Sequence, residues 1–505
     1  MSLKASLSIP FARWIHRQQV TAASHAVEVQ QKWLQRLLQN ARATHFGKEH
    51  DFSHIRDHKT FTQKVPLRDY EALKPWIEKV VAGEPDVLWP GQPIYLSKTS
   101  GTTSGTKFIP ITKDSIPNHI HTARNALLSY IATTRKAQFV DGKMIFLSGS
   151  PELMKKNGIL TGRLSGIVNH HVPGYLRSNQ LPSYTTNCID DWETKVDAIV
   201  EETMNEDMRL ISGIPSWVQM YFEKLLLRTG KETIREVFPN FSLFVYGGVN
   251  YAPYRPVFEK AIGGKIDSVE LYPASEGFIA FQDVQGEEGL LLNVDNGIYF
   301  EFVPLDEYDR PNPTRLSLAD VELGVNYALL LSTNAGLWAY SIGDTVKFVS
   351  KNPYRLIVTG RIKHFISAFG EHVIGEEVDG AMQIAAREFG AEIIEFSVAP
   401  QIKPTTGLPY HEWFIEFAKK PADMDGFRHR VDELMQEKNI YYRDLLEGNI
   451  LQTLVIREVV KDGFIAYMKS VGKLGGQNKV PRLSNDRQLA DGLTPFISPG
   501  NVSPV

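Results

Sequence analysis

Apolar positions recur with two different periods along this chain, and the change from one to the other outlines its organisation. Between residues 11 and 43, Val29, Trp33, Leu37 and Leu38 fall at helical spacing on an otherwise polar segment. That stripe predicts a helix docked on the protein's own core; contact with a membrane is the lesser alternative for an amphipathic start. Residues 52–90 mix short helices and turns, and a further helix is expected over 115–136. From about residue 140, short continuous apolar runs take over. Residues 143–147, 209–212, 242–246 and 266–272 read as buried strands, with helical segments such as 217–227 between them. Two more strands are expected at 297–303 and 327–332. Such alternation argues for sheets covered by helices.

The texture changes again near Val358-Thr-Gly-Arg361. Beyond it come a helix near 376–389 and strands near 394–399 and 411–417. The fold expected is therefore α/β. A large N-terminal domain with helix-covered sheets spans 1–361, and a small mobile α+β domain spans 362–505. The tail from Gly492, with three prolines, is expected to be loosely ordered.

Composition narrows the class of function. The 505 residues are 43% hydrophobic and 22% charged, with a formal net charge of −3. That balance points away from nucleic acid as the partner. A lone cysteine, Cys188, excludes an internal disulfide and fits a reducing compartment. No apolar run reaches the length of a transmembrane helix, and the first ten residues lack the apolar core of a secretory signal. The cytoplasm is the expected location.

The richest chemistry lies in Leu96-Ser-Lys-Thr-Ser-Gly-Thr-Thr-Ser-Gly-Thr-Lys107. Hydroxyls donate to phosphate oxygens, and glycines let backbone N–H groups approach closely. Ser100, Gly101, Thr102, Thr103 and Lys107 thus read as a phosphate cradle. The flanks, residues 93–96 and 108–112, look like strands. A Walker-type loop would instead open a helix after a Lys-Ser or Lys-Thr pair, and here Phe108 follows Lys107. A flexible polar hairpin is the plainer alternative.

Four weaker signals follow in order. In Glu270-Leu-Tyr-Pro-Ala-Ser-Glu-Gly277, at a strand end, Glu276 could hold Mg²⁺ and Ser275 could bond a phosphate; an acidic turn is the bland reading. In Gly336-Leu-Trp-Ala-Tyr-Ser-Ile-Gly-Asp344, Asp344 could accept two ribose hydroxyls, although Gly-Asp is also a common hairpin turn. In Thr359-Gly-Arg-Ile-Lys363, Arg361 is a candidate second ribose contact and Lys363 a candidate hinge. Finally, Gly475-Gly-Gln-Asn-Lys-Val-Pro-Arg482 carries Lys479 on a glycine-preceded loop, where a solvated surface lysine is the ordinary case. Arg124, on the helix after the cradle, could pair with a substrate carboxylate or form a surface salt bridge. The adjacent His170 and His171 invite a metal reading, but neighbouring side chains on a strand point to opposite faces. Tyr175 and Tyr184 are further pocket candidates.

This order is that of the adenylate-forming superfamily. The chain further resembles the Gretchen Hagen family, the auxin-responsive acyl acid amido synthetases. The resemblance rests on Phe61-Thr-Gln-Lys-Val-Pro-Leu-Arg-Asp-Tyr70, Pro75-Trp-Ile-Glu-Lys-Val-Val-Ala-Gly83, Tyr299-Phe-Glu-Phe-Val-Pro304 and Gln477-Asn-Lys-Val-Pro-Arg482, besides the cradle and the Gly-Asp segment. It implies ATP and Mg²⁺ as cofactors, and a carboxylic acid and an amine, an amino acid by expectation, as substrates. It implies that Ser100, Thr102, Thr103 and Lys107 grip the phosphates and that Gly248 and Asn250 lie against adenine. Tyr272, Ser275 and Glu276 would serve the adenylate and Mg²⁺, Asp344 and Arg361 the ribose, and Lys479 would be the mobile catalytic lysine. Plant members carry arginines beside the Tyr of the Gly-Asp segment, where this chain has Ala339 and Ser341. A ligase with a thiol acceptor such as coenzyme A, or a nucleotide-binding protein without turnover, are the alternative readings.

Overall fold

The structure, a computed structural model, describes residues 2–100, 106–172, 177–248, 251–252, 254–362, 371, 373–447, 450–475, 478–484 and 486–498. It is a mixed α/β protein. Among the described residues no helix is long and apolar enough to cross a membrane.

Two helices open the chain, α1 (Leu3–Ser24) and α2 (Ala26–Ala41). The sequence places the first helical residue at 11, just after Pro10. The helix in fact starts eight residues earlier, where the Ser2 side chain caps it by accepting the Ala5 N–H. Packing overrides the proline: Ala5, Ala12, Ile15 and Ala23 are buried against a later helix, which holds α1 whatever its local propensity.

After α3 (Tyr70–Val81) comes the cradle hairpin, β1 (Tyr95–Ser100) and β2 (Thr106–Ile111). Helix α4 (Ile116–Thr134) follows, then β3 (Lys143–Phe146), β4 (Met154–Lys156), β5 (Ile159–Gly162), β6 (Gln180–Leu181) and β7 (Met208–Ser212). Beyond α5 (Pro215–Thr229) the chain forms β8 (Leu243–Gly247), α6 (Arg255–Ile262), and the strands β9 (Asp267–Ala274), β10 (Gly277–Phe281), β11 (Leu290–Leu292), β12 (Ile298–Pro304), β13 (Asn326–Thr333), β14 (Tyr340–Lys351) and β15 (Tyr354–Arg361). The remainder is α7 (Gly375–Phe389), β16 (Glu392–Gln401), β17 (Tyr410–Lys419), α8 (Met424–Lys438), β18 (Val455–Val459) and α9 (Gln488–Leu493).

The chain divides into two compact units. The first comprises residues 1–214, 237–248 and 266–358, the second 215–236, 249–265 and 359–505. In the first unit an eleven-stranded sheet runs β12-β13-β14-β15-β11-β10-β9-β8-β7-β3-β6. From β6 to β9 neighbours are parallel, and from β9 through β10 and β11 to β15 they are antiparallel. The parallel half consists of short, nearly continuous apolar runs, as strands buried on both faces require. A second sheet, β2-β1-β5-β4, carries the cradle on its edge. Pro110 sits in β2, the edge strand, where a missing N–H breaks no ladder.

In the second unit β16-β17-β18 form a sheet, antiparallel then parallel. Phe396, Trp413, Phe427 and Met435 build its core with α7 and α8. The tail is ordered further than its prolines suggest. Val460 N–H donates to Phe496 O and Ser498 N–H to Glu458 O, which ties residues 496–498 to the end of β18.

Candidate active site

The cradle hairpin pairs from Tyr95↔Ile111 to Ser100↔Thr106. Of its expected phosphate-gripping residues, Gly101, Thr102 and Thr103 lie outside the described residues, as does the Ser100 side chain. Lys107 stands on the return strand with its ammonium 5.1 Å from the centre of the Tyr70 ring. The Tyr70 hydroxyl accepts the Phe108 N–H at 2.9 Å, so one tyrosine from α3 steadies both the lysine and its strand.

The Ser275-Glu276 pair forms the two-residue turn between β9 and β10, where Ala274 faces Gly277. This turn stands at the carboxyl end of β9, the last strand of the parallel half, where α/β proteins place ligands. Two side chains fix it. Ser97 Oγ, from the cradle strand β1, donates to Ser275 Oγ at 3.1 Å. Asn118, buried on α4, accepts the Phe278 N–H at 2.7 Å and donates to Asn296 O at 2.8 Å. Gly277 leaves room for a neighbour: a Cβ there would come within 2.5 Å of Ile298 Cδ1, whose side chain would have to shift.

The Gly-Asp segment is not a hairpin turn. It lies inside the long strand β14, at a bulge where the partners of Ala328 and Leu330 are Thr345 and Ser341. Gly343 takes the left-handed conformation the bulge needs, φ +83°. The bulge aims Asp344 toward β9, and the Tyr272 hydroxyl donates to Asp344 Oδ2 at 2.8 Å between two buried groups. Backbone bonds from Arg68 N to Ala339 O and from Ser341 N to Arg68 O stitch the same strand to the Phe61–Tyr70 string. Ala339 and Ser341, where the plant pattern has arginines, are both buried, and Ser341 accepts the Tyr308 hydroxyl at 2.9 Å.

Cradle strand, turn and Gly-Asp strand are thus joined within one unit. Gly248, at the end of β8 with φ +82°, is exposed, and Asn250 lies outside the described residues. Arg124 directs its guanidinium to Asn125 Oδ1 at 3.0 and 3.2 Å. The two histidines diverge: His170 Nε2 lies 2.8 Å from Pro151 O and His171 Nε2 3.0 Å from the Tyr95 hydroxyl. Tyr184 is exposed and Tyr175 is outside the described residues. His119, next to Asn118, is pushed down to about 4 by burial and is neutral near pH 7.

The glutamate of Tyr299-Phe-Glu-Phe-Val-Pro304 serves the core. Glu301 is fully buried; burial alone would raise its pKa, but Arg315 at 2.7 Å and His58 at 3.0 Å hold it below the usual carboxylate range.

In the second unit Arg361 ends β15, exposed, and Lys363 lies outside the described residues. Lys479 is exposed. Three residues on, Arg482 is locked in place. It contacts Asp379 Oδ1 at 2.8 Å, Glu395 Oε1 at 2.9 Å and the Tyr254 hydroxyl at 2.9 Å, and its guanidinium lies 3.7 Å from the centre of the Phe396 ring. Backbone bonds from Val398 N to Arg482 O and from Ser484 N to Val398 O join the segment to β16. Sequence reasoning gave no role to Ser97, Tyr70, Asn118 or Arg482. Tyr70 and Arg482 stand inside the recognised strings and could have been found there; a single asparagine in a helix carries no local signal.

Matches cover the GH3 family N-terminal domain over residues 15–190, the GH3 family central domain over 291–361 and the GH3 family C-terminal domain over 376–488. The chain belongs to the GH3 (Gretchen Hagen) family. A relative, indole-3-acetic acid-amido synthetase GH3.3 of Arabidopsis thaliana, is 24% identical over 94% of this chain and 92% of its own length. The GH3 fold is equally plain in solved structures. The GH3.15 acyl acid amido synthetase in complex with 2,4-DB superposes with a TM-score of 0.79 at 15% identity, covering 96% of both chains. A 2-hydroxyisobutyryl-CoA ligase in its postadenylation state, bound to 2-HIB-AMP, superposes with a TM-score of 0.59 at 14% identity, covering 92% of this chain and 91% of that one.

Proposed function

We propose that this GH3 protein is an ATP-dependent acyl acid amido synthetase of the cytoplasm, making an acyl-adenylate from a carboxylic acid and passing the acyl group to an amine, specifically an amino acid. The supporting observation is the pair of bonds Ser97–Ser275 and Tyr272–Asp344, which hold the cradle strand, the Ser-Glu turn and the Gly-Asp strand together in a chain of this family.

In the first step a carboxylate oxygen of the acid attacks the α-phosphorus of ATP and pyrophosphate leaves. The cradle, residues 100–103 with Lys107, holds the phosphate oxygens by N–H, hydroxyl and ammonium donors. Asp344, oriented by the Tyr272 hydroxyl, accepts from the ribose, with Arg361 as its second contact, and Gly248 and Asn250 flank the adenine. Glu276, half-buried on a turn beside Ser275, offers the hard oxygen donor that suits Mg²⁺ bound jointly with phosphate. Mg²⁺ supplies neutralisation of the charge that gathers on the phosphate oxygens. Lys479 adds a second cation at the α-phosphate. In the second step the amine attacks the acyl carbonyl, AMP leaves with the bonding pair, and the amine loses a proton. Lys363 is the hinge between the catalytic division of residues 1–361 and that of 362–505. Arg124, whose guanidinium rests on Asn125 Oδ1, is the candidate partner for the acid's carboxylate, with a surface salt bridge as the alternative role.

The test is acid-dependent exchange of pyrophosphate into ATP across a panel of acids, followed by hydroxylamine trapping and by amino acids or coenzyme A as acceptors. AMP release with amide formation supports the proposal. A thioester as the sole product assigns a thiol ligase, and ATP binding without AMP release on every acid assigns a nucleotide-binding protein without turnover.

A further inference from the structure

Helix α1 is apolar on two sides, and the described residues cover only one of them. Its inner side, Ala5, Ala12, Ile15 and Ala23, packs with Ala126, Tyr130 and Ile131 of α4. On the outer side Leu7, Phe11 and Trp14 follow at i, i+4 and i+7 and are 62%, 46% and 57% exposed. Isolated exposed apolar residues are ordinary, but three large ones in line along a helix form a surface. The charges of α1 all have one sign: Lys4, Arg13 and Arg17 are exposed, and residues 3–24 include no aspartate or glutamate. Trp14 and Arg17 also border an open groove of about 590 Å³ between α1 and α2, together with Gln18, Thr21 and Lys32. Among the described residues, acids near this region include Asp141, which accepts from Ser2, Glu28 and Asp295 in the groove, and Asp283, which is paired with Arg355 behind His16. The matched family segment begins at residue 15, so Leu7, Phe11 and Trp14 all precede it.

We propose that the outer face of α1 is a docking surface for an anionic lipid bilayer. An apolar stripe with Trp and Phe, bordered by Lys and Arg, is the composition of helices that lie in the headgroup region with the apolar side buried. Each basic residue gains from the negative surface potential. A second copy of the chain fits less well. A two-fold contact would bring the same patch face to face, setting the cations Lys4, Arg13 and Arg17 against themselves with no acid of α1 to answer them. The helix rests on the first unit through its inner side, so the bilayer would hold the protein at its surface without spanning.

The experiment is co-sedimentation of the full chain with phosphatidylcholine vesicles, with and without about 30% phosphatidylglycerol, at about 0.1 M salt. The expected result is binding to the anionic vesicles and little to the neutral ones. The triple change Lys4→Gln, Arg13→Gln, Arg17→Gln should cut partitioning about 10²-fold, and Leu7→Ser, Phe11→Ser, Trp14→Ser should abolish it. All six positions are exposed, so thermal unfolding should be unaltered, and that measurement separates lost docking from lost folding. Equal sedimentation with and without phosphatidylglycerol, or none with either, overturns the proposal. A dimer in light scattering that the apolar triple variant dissolves, without vesicle binding, assigns the face to a second copy and overturns it too.

Discussion

The two units handle their polar site residues in opposite ways. In the first, the candidate groups are cross-braced: Tyr272 holds Asp344, Ser97 meets Ser275, and Asn118 pins the turn that carries Glu276. In the second, the candidate lysine is exposed while the bracing is given to its neighbour Arg482, which is fixed by two carboxylates, a hydroxyl and an aromatic face. The first arrangement suits groups that must stand ready before substrate arrives, because preorganised donors cost no rearrangement during reaction. The second suits a group that works in one step and withdraws in the next.

If that contrast holds, breaking the brace and removing the lysine must have different signatures. Arg482→Ala leaves Glu395 and Asp379 without their cation and should cost about 3–5 kcal/mol of stability, read as a large fall in the denaturation midpoint. Lys479→Ala should leave that midpoint unchanged and slow pyrophosphate exchange by about 10²–10³-fold. An exchange rate equal to the parent's removes Lys479 from the chemistry. In the first unit, Asn118→Ala strands the buried Phe278 N–H and should cost about 1–3 kcal/mol while weakening ATP use through the displaced turn. Unaltered ATP kinetics in a folded Asn118→Ala protein would mean that the turn has no part in the site.

A further prediction separates the units by pH. Glu416, in the second unit, is pushed up to about 7 by burial, while accepting the Asp462 N–H at 2.7 Å and the Phe464 N–H at 3.3 Å. The folded state then holds the proton more tightly than the unfolded chain, so its contribution is full below pH 4.5 and is lost as pH rises toward 7. His119, in the first unit, is pushed down to about 4, so its contribution is full above pH 6.5 and is lost as pH falls toward 4. Between these limits acid favours the second unit and weakens the first. Glu416→Gln should flatten the second unit's loss on going from pH 4.5 to 7, measured by hydrogen exchange at β17 and β18.

Much of the scaffold was legible in the sequence because buried strands are written as local apolar runs; 209–212 became β7 and 242–246 became β8 almost residue for residue. Features decided by distant partners were not. The helix expected from about residue 11 starts earlier and passes through Pro10, because Ala5 and Ala12 have a surface to bury against. Gly343-Asp344 reads as a turn, yet the same glycine requirement is met by a bulge within a strand. That α5 and α6 belong with the second unit follows from packing alone, as in the contact of Phe222 on Phe258 at 5.7 Å. The cradle's identity was legible from its residue types, and the Ser97 and Asn118 braces were not, since each bonds a residue more than 150 positions away.

The fixed Arg482 also acts as a mooring. Lys479 is three residues from it, and an extended chain spans at most about 3.5 Å per residue, so the lysine's backbone stays within roughly 10 Å of a stationary post, with Val480 packed and the Pro481 carbonyl held by Ser397 between them. A leash of that length permits fine aim and forbids long travel. Under the role proposed for Lys479, any larger stroke of the ammonium would have to be made by the whole body to which the post is bolted, and the timing of catalysis would be a property of a domain rather than of a loop.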